Sequence, residues 1–374
     1  SRQSLTGLLI KGARMVSISP LDPQTSEEFL VDRLGHAWVD AAPDAVRTII
    51  GFSGGIPLAL SIVAARVASS PALSAALLLK QLERQSPLAV LSAGRDQTDI
   101  ATAFSWSLAS LSGQATRVFA AIGGLGMPRV DGTSIAAYLR TPKTRVDKAL
   151  HELERANLIH FVTGESFGIH DLLAQFAADI AASTWHEEES AASLGSYLDR
   201  LATDAYSAER ALYPLRGDLQ DDLRPRNQTR SFADYDEALE WFRERHERLV
   251  SGVQLAARLE LDMIGWRLAW ACTTFLDRCG FWEDYAAIQS AAASMASRLG
   301  DQAAEASSRR FLATALLRQG KTIEAGRELD TAMELARGDA SAEARTALAL
   351  AFHYGDTNQP DLALRHAIDA EERY

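Results

Sequence analysis

The sequence predicts a mainly α fold, on three observations. Alanine is used heavily while aromatic residues make up only 7% of the chain, and alanine loses no side-chain entropy on entering a helix. Long stretches carry helical periodicity, punctuated by capping residues and prolines. The last third repeats one turn-and-helix block at intervals of about 40 residues. With 374 residues, 47% of them hydrophobic, the chain suffices for two or three domains at roughly 100–200 residues each.

Taken in order, Met15–Ser19 alternates apolar and polar residues as a short strand does, and Pro20-Leu21-Asp22-Pro23 breaks it. Thr25 or Ser26 then offers a cap to a helix entered by Glu27 and Glu28. Helical patterning runs from there to Gln85, interrupted at Gly51–Gly55 and restarted at Pro57, a residue suited to a first helical turn. Pro71 and Pro87 mark further breaks, so residues 20–95 read as a small helical bundle following a segment, 1–19, that ends a preceding domain.

Residues 96–185 have a different rhythm. Helices are expected over Asp99–Leu111, Gln114–Ile122, Ser134–Leu139 and Lys143–Asn157, with a glycine-rich turn at Gly123–Gly126. Leu158–Thr163 and Ser166–Ile169 read as two strands joined by a tight turn at Gly164-Glu165. Helices followed by a small β-hairpin describe a winged helix-turn-helix, closed by a helix over Asp171–Thr184. Residues 186–260 are expected to be linker helices, Leu194–Pro214 and Tyr235–Leu259, around a polar loop at 215–231 whose composition predicts mobility.

The remainder, 261–374, carries the repeat. Three blocks align without gaps, beginning at Gly280, Gly320 and Asn358, so their spacings are 40 and 38 residues. Each is followed at the same distance by an alanine, Ala292, Ala332 and Ala370, whose small side chain lets neighbouring helices approach closely. Helix–turn–helix units at this period predict an α-solenoid of the tetratricopeptide kind, incomplete at Tyr374. Trp266, Trp270 and Trp282 fall at helical spacing near the first repeat and read as core rather than as a ligand cage.

A net charge of −11 and a pI near 5.3 argue against the chain as a whole binding polyanions. In the winged-helix segment Arg140, Lys143, Arg145, Lys148 and Arg155 outnumber Asp147, Glu152 and Glu154 only slightly, a thin footing for DNA contact. Cys272 and Cys279 lie two helical turns apart, about 10 Å, too far for a disulfide. They read as free thiols, and a cytoplasmic location is expected. The longest uncharged apolar stretch, Gly51–Ala65, is shorter than the ~20 residues that span a bilayer, so no membrane partner is expected. The chain begins without methionine and stops inside a helical pattern, so both ends are expected to be cuts.

The order of these elements, with four short signatures, resembles the NB-ARC branch of the signal-transduction ATPases, most closely the bacterial regulators that join this module to tetratricopeptide repeats. Ser1-Arg2 matches the end of the family's Thr-Ser-Arg strand, which implies that Arg2 faces the terminal phosphate of a nucleotide. Gly54-Gly55-Ile56-Pro57-Leu58-Ala59 resembles the family's Gly-Leu-Pro-Leu-Ala, with isoleucine for the usual leucine; the resemblance places Gly55, Pro57 and Leu58 at the nucleotide, the proline ring against adenine. Phe167-Gly168-Ile169-His170-Asp171-Leu172 resembles the family's histidine–aspartate motif and implies that His170 contacts the β-phosphate of ADP, with Asp171 capping the next helix. Ala238–Val250 resembles the linker helix that precedes the repeats in the bacterial members.

The resemblance therefore implies an ADP/ATP-dependent signalling switch. The regulator it suggests is transcriptional: it senses a protein or small ligand on the repeats and reaches DNA through a domain outside this chain. No Gly-x-x-x-x-Gly-Lys-Ser/Thr loop and no Walker B strand occur in the 374 residues. The phosphate cradle and the magnesium site are expected in preceding sequence of the parent protein, and this chain alone is expected to be inactive as an ATPase. Two alternatives stand beside the switch. One is a repeat scaffold without nucleotide control, and the other is direct DNA binding by the winged helix. No catalytic Ser/His/Asp or Cys/His spacing supports an enzyme reading.

Overall fold

Asp22 starts the first helix: its Oδ1 accepts from the backbone N–H of Thr25 at 2.9 Å and its Oδ2 from the Thr25 hydroxyl at 2.7 Å. These two bonds hold the Asp22 carboxyl below its ordinary range. The cap is thus one turn earlier than Thr25 or Ser26. The computed structural model describes residues 20–70, 73–84, 100–109, 111–127, 129–162, 166–216 and 230–373. The expected strand at Met15–Ser19, Arg2 and the turn at Gly164-Glu165 lie outside them. The fold is mainly α, as expected, and its contacts separate into two units that divide between Ser193 and Leu194.

The first unit opens with helices α1 (Pro23–Leu34), α2 (His36–Asp40), α3 (Pro43–Ser53), α4 (Pro57–Ser69) and α5 (Ala75–Arg84). Prolines sit at the first turn of α1, α3 and α4, where a missing N–H costs nothing. Leu30, Ile49, Leu60 and Leu78 are fully buried where these helices meet. After α6 (Ile100–Ala109) come α7 (Gly113–Leu125), strand β1 (Arg129–Asp131), α8 (Gly132–Leu139), α9 (Lys143–Arg155), β2 (His160–Phe161), β3 (Ser166–Gly168) and α10 (Asp171–Thr184). The three strands form an antiparallel sheet in the order β1-β3-β2, with Val130 opposite Phe167 and Phe161 opposite Phe167 on the other side. Helix, strand, two helices and a hairpin make the winged helix expected from sequence, with one strand more than the pattern announced.

That segment departs from expectation at Gly123–Gly126. The helix continues to Leu125, and Gly126 ends it in the left-handed region. Gly123 lies where α10 crosses α7: a Cβ there would stand 2.1 Å from the backbone of Ala177. The glycines serve close helix packing as much as chain reversal. Phe119 and Phe104 flank Phe176 of α10 at 6.0 and 5.6 Å between ring centres, filling the core beside the crossing.

Helix α11 (Glu187–Leu212) carries the division between the units and begins earlier than the expected Leu194. In the second unit α12 (Tyr235–Arg258), α13 (Asp262–Cys279), α14 (Trp282–Leu299), α15 (Gln302–Arg318), α16 (Thr322–Leu335), α17 (Ala340–Asp356) and α18 (Pro360–Arg373) each pack on the next. The pairs α13–α14, α15–α16 and α17–α18 turn at Gly280, Gly320 and Asn358, all at positive φ. At each turn the residue after the positive-φ position bonds back to a carbonyl five residues earlier: Phe281 to Leu276 at 3.0 Å, Lys321 to Leu316 at 2.9 Å and Gln359 to Tyr354 at 2.8 Å. Ala292, Ala332 and Ala370 are buried at equivalent places in the second helix of each pair. The repeated blocks are therefore repeated structure, an α-solenoid. Cys272 is buried and Cys279 partly so; both thiols are free, and burial raises that of Cys272.

Candidate functional site

Helix α3 ends at Ser53, and two glycines reverse the chain before α4 begins. Gly54 (φ 58°) and Gly55 (φ 69°) both occupy the left-handed region, which side chains disfavour. The amide of Gly54 donates to the carbonyls of Ile50 and Gly51, both at 3.0 Å. Gly55 lies flat against Leu21: its carbonyl accepts from the Leu21 amide at 2.9 Å, and a Cβ on it would stand 2.1 Å from the Leu21 carbonyl oxygen. The turn is thereby clamped to the chain that enters α1. Beyond it, Pro57 and Leu58 are exposed at the start of α4, an end with no side-chain cap.

His170 arrives from the wing. It follows β3 by two residues and stands directly before α10. Its Nδ1 accepts from the backbone N–H of Leu172 at 3.3 Å, so the imidazole itself caps α10. The expected cap, Asp171, is instead an exposed residue of the first turn, where its charge faces the positive end of the helix. The second ring nitrogen of His170, Nε2, is 3.0 Å from the carbonyl of Gly54. Because Nδ1 accepts, the tautomer consistent with both contacts puts the proton on Nε2, which donates to Gly54. The ring also covers the α-carbon of Gly54 closely enough that a Cβ would fall 2.0 Å from it.

The structure thus brings together His170, Gly54 and Gly55, with Pro57 three residues on from Gly54, although 116 residues of sequence separate His170 from Gly54. Arg2 lies outside the described residues. The basic residues of the winged helix are partly committed elsewhere. Lys143 pairs with Asp147 at 3.1 Å, and Arg140 donates to the Ala192 carbonyl at 3.0 Å. That leaves still less positive surface for DNA than composition offered.

A second constellation, which sequence reasoning missed, lies in the second unit. Arg216 pairs with Glu209 of α11, a side chain with no exposed surface, and donates from Nη1 to the Trp270 carbonyl at 3.1 Å. Its guanidinium stands 3.8 Å over the Trp270 ring and 5.1 Å from that of Phe311. Thr274 donates to the same Glu209 oxygen. Burial outweighs the arginine and raises the Glu209 carboxyl above its ordinary range. Arg210 fastens the short segment from α11 by bonding the carbonyls of Arg216 at 2.7 Å and Pro214 at 2.6 Å. Trp266 and Trp270 are buried as expected for core residues, whereas Trp282, also expected in the core, is exposed at the first turn of α14; all three line a cavity on this face.

No family model matches the chain. The regulatory protein AfsR of Streptomyces coelicolor is 25% identical to it over 332 residues, which cover 87% of this chain and 33% of that protein. A crystal structure of a signal-transduction ATPase with numerous domains and a tetratricopeptide repeat sensor, from Pyrococcus horikoshii, aligns over 97% of this chain and 49% of its own at 14% identity, with a TM-score of 0.36. The chain therefore spans about a third of the length of the regulator and about half of that of the archaeal protein. No helix among the described residues is long and apolar enough to cross a membrane.

Proposed function

We propose that this chain is part of a nucleotide-dependent regulatory switch, a transcriptional regulator of the cytoplasm whose helical repeats sense a partner. The similarity to a regulatory protein supports the regulatory half of this reading. The nucleotide half is carried by one observation: His170 of the winged helix bonds directly to Gly54, at the turn that leads into Pro57 and Leu58.

The residues present fit part of a nucleoside diphosphate. Pro57 and Leu58 offer an exposed apolar edge suited to a purine face, beside the unfilled amides that begin α4. His170 offers one donor, Nε2–H, suited to a phosphate oxygen. Arg2 would supply a second cation to the terminal phosphate. The glycine-rich cradle and the magnesium ligand do not occur in this sequence and belong to the parent protein in this reading.

A phosphate oxygen and the Gly54 carbonyl are both acceptors, and they compete for the same imidazole proton. A charged acceptor makes the stronger bond. Nucleotide in the parent would thus draw His170 from the turn, and two arrangements of the winged helix against the bundle would differ in what His170 holds. A partner on the repeats biases that equilibrium, and DNA is reached through a domain outside this chain.

Titration of the parent protein with ADP, for the native form and for His170→Ala, tests the reading. Weaker ADP binding with altered regulatory output is expected. Unchanged affinity and output would remove His170 from the switch and leave the repeats as an interaction scaffold.

A further inference from the structure

Two buried polar atoms on residues that line the second unit's cavity have no hydrogen-bond partner among the described residues: Nη2 of Arg216 and Oδ1 of Asp277. One is a donor and the other an acceptor, and their groups carry opposite charges. Native interiors pair such atoms, so each calls for a partner from outside the chain. Oε2 of Glu209 is unpaired too, but Glu209 is not among the described residues that line the cavity.

The surroundings hold both groups in place. Nη1 of Arg216 is spent on Glu209 and on the Trp270 carbonyl, and the guanidinium lies over the Trp270 ring, which fixes the direction of Nη2. Asp277 follows Trp270 by two turns of α13, about 10 Å along the helix. Trp270, Thr273, Thr274 and Asp277 share one face of that helix and all line the cavity. Arg318 stands 3.7 Å from Oδ1 of Asp277, too far for a hydrogen bond. Tyr285 of α14 lies within reach of both groups: burial chiefly, and then the charge of Asp277, raise its phenol, while Arg216 opposes the rise.

This pairing narrows the ligand class. A simple anion on Arg216 would meet the Asp277 carboxylate, and a simple cation on Asp277 would meet the guanidinium. A molecule that carries both a carboxylate and an ammonium satisfies the two at once, each through a charge-assisted bond. Trp266, Trp270, Phe311 and the exposed Trp282 give the same wall apolar surface, which suits an apolar side chain on such a molecule. The cavity, about 1320 Å³, has ample room for a ligand of that size.

We propose that this part of the cavity binds a free α-amino acid with an apolar side chain, its carboxylate on Arg216 and its ammonium on Asp277. The inference deepens the reading of the repeats as the sensing part and rests on it for its biological meaning. The binding itself is a property of this chain and is testable without nucleotide.

The test is isothermal titration calorimetry of the 374-residue chain with L-phenylalanine, phenylpropanoate, phenylalaninamide and guanosine. The propanoate lacks the ammonium, the amide lacks the carboxylate, and guanosine offers donors beside acceptors without charge. L-phenylalanine is expected to bind, and each of the others to bind about tenfold or more weakly. Asp277→Asn is expected to weaken L-phenylalanine by about tenfold or more and to leave the propanoate unchanged or tighter. Arg216→Lys keeps a cation beside the buried Glu209 but has no second nitrogen, and is expected to bring L-phenylalanine down to the level of the amide. Thermal melts check that both variants remain folded; if Arg216→Lys does not, the comparison of L-phenylalanine with the amide still decides the carboxylate contact. No heat from L-phenylalanine at about 10 mM, propanoate or amide binding as tight as that of the amino acid, tighter binding of guanosine, or indifference to Asp277→Asn would overturn the proposal. Amino-acid binding that leaves the parent's regulatory output unmoved would support the site and count against the sensing role alone.

Discussion

The imidazole of His170 and the carbonyl of Gly54 are 3.0 Å apart, and the same ring covers the Gly54 α-carbon. The turn that leads into α4 and the residue that caps α10 are therefore one structure. Neither can be altered without the other.

Gly54→Ala tests that statement most directly. The new methyl would fall 2.0 Å from the imidazole, on a backbone at φ 58°. Strain of about 1–3 kcal/mol is expected from the backbone alone, and His170 must move as well. Urea unfolding should show the loss. Gly51→Ala is the control: it sits inside α3 with nothing within 4 Å of its Cβ. It is expected to be neutral or to stabilise by up to about 1 kcal/mol. Equal behaviour of the two variants would contradict the geometry.

His170→Ala removes a helix cap and a long-range hydrogen bond together. A cost of about 1–3 kcal/mol is expected. Asparagine at this position caps well but is shorter, so His170→Asn should recover the capping part of the loss. Chemical denaturation of the three proteins checks the order: native, then asparagine, then alanine.

Gly123→Ala sets two effects in opposition. Helix propensity favours alanine by about 1 kcal/mol. The new Cβ, however, would stand 2.1 Å from the backbone of Ala177, which has no rotamer with which to withdraw. Overpacking of this kind costs about 1–3 kcal/mol or more, so the net sign is destabilising. A thermal melt that rises instead would show that α7 and α10 do not meet as closely as described.

Glu209 gives the second unit a pH dependence. Its carboxyl is raised from an ordinary value of 4.5, chiefly by burial. A raised acid stabilises the fold fully below its unfolded value, and that contribution is lost as pH rises through the folded value. Melting followed by circular dichroism should therefore reveal a Glu209 contribution that is full below the ordinary value of 4.5 and declines as pH rises above it. Glu209→Gln, which keeps an acceptor for Thr274, should flatten that slope. An unchanged slope would assign the ionised form to Glu209 throughout.

The sequence shows some of these features and hides others, for physical reasons. The solenoid was legible because Gly280, Gly320 and Asn358 must all adopt positive φ and buried alanines follow each at one distance; local conformation and spacing are written locally. The helix Asp171–Thr184 was legible to the residue. Strand β1 was missed because three residues are too few for alternation to register. Gly123 read as a turn because the same residue type serves both chain reversal and close approach, and only the position of Ala177 decides between them. Asp171 gave way to His170 as the cap because the histidine's orientation is fixed by Gly54, far away in sequence. Arg216 was hidden most completely. Its neighbours suggest a polar loop, and its partners Trp270 and Phe311 lie on helices that composition alone does not bring together.

The placement of indoles has a practical consequence. Of the chain's seven tryptophans, Trp266, Trp270 and Trp282 border a single cavity, and one of them is stacked under a guanidinium. Part of the light emitted by this protein on ultraviolet excitation thus comes from one place. Any guest settling there should alter its colour, its intensity or its accessibility to iodide, so that the native chain carries its own unlabelled optical gauge of occupancy.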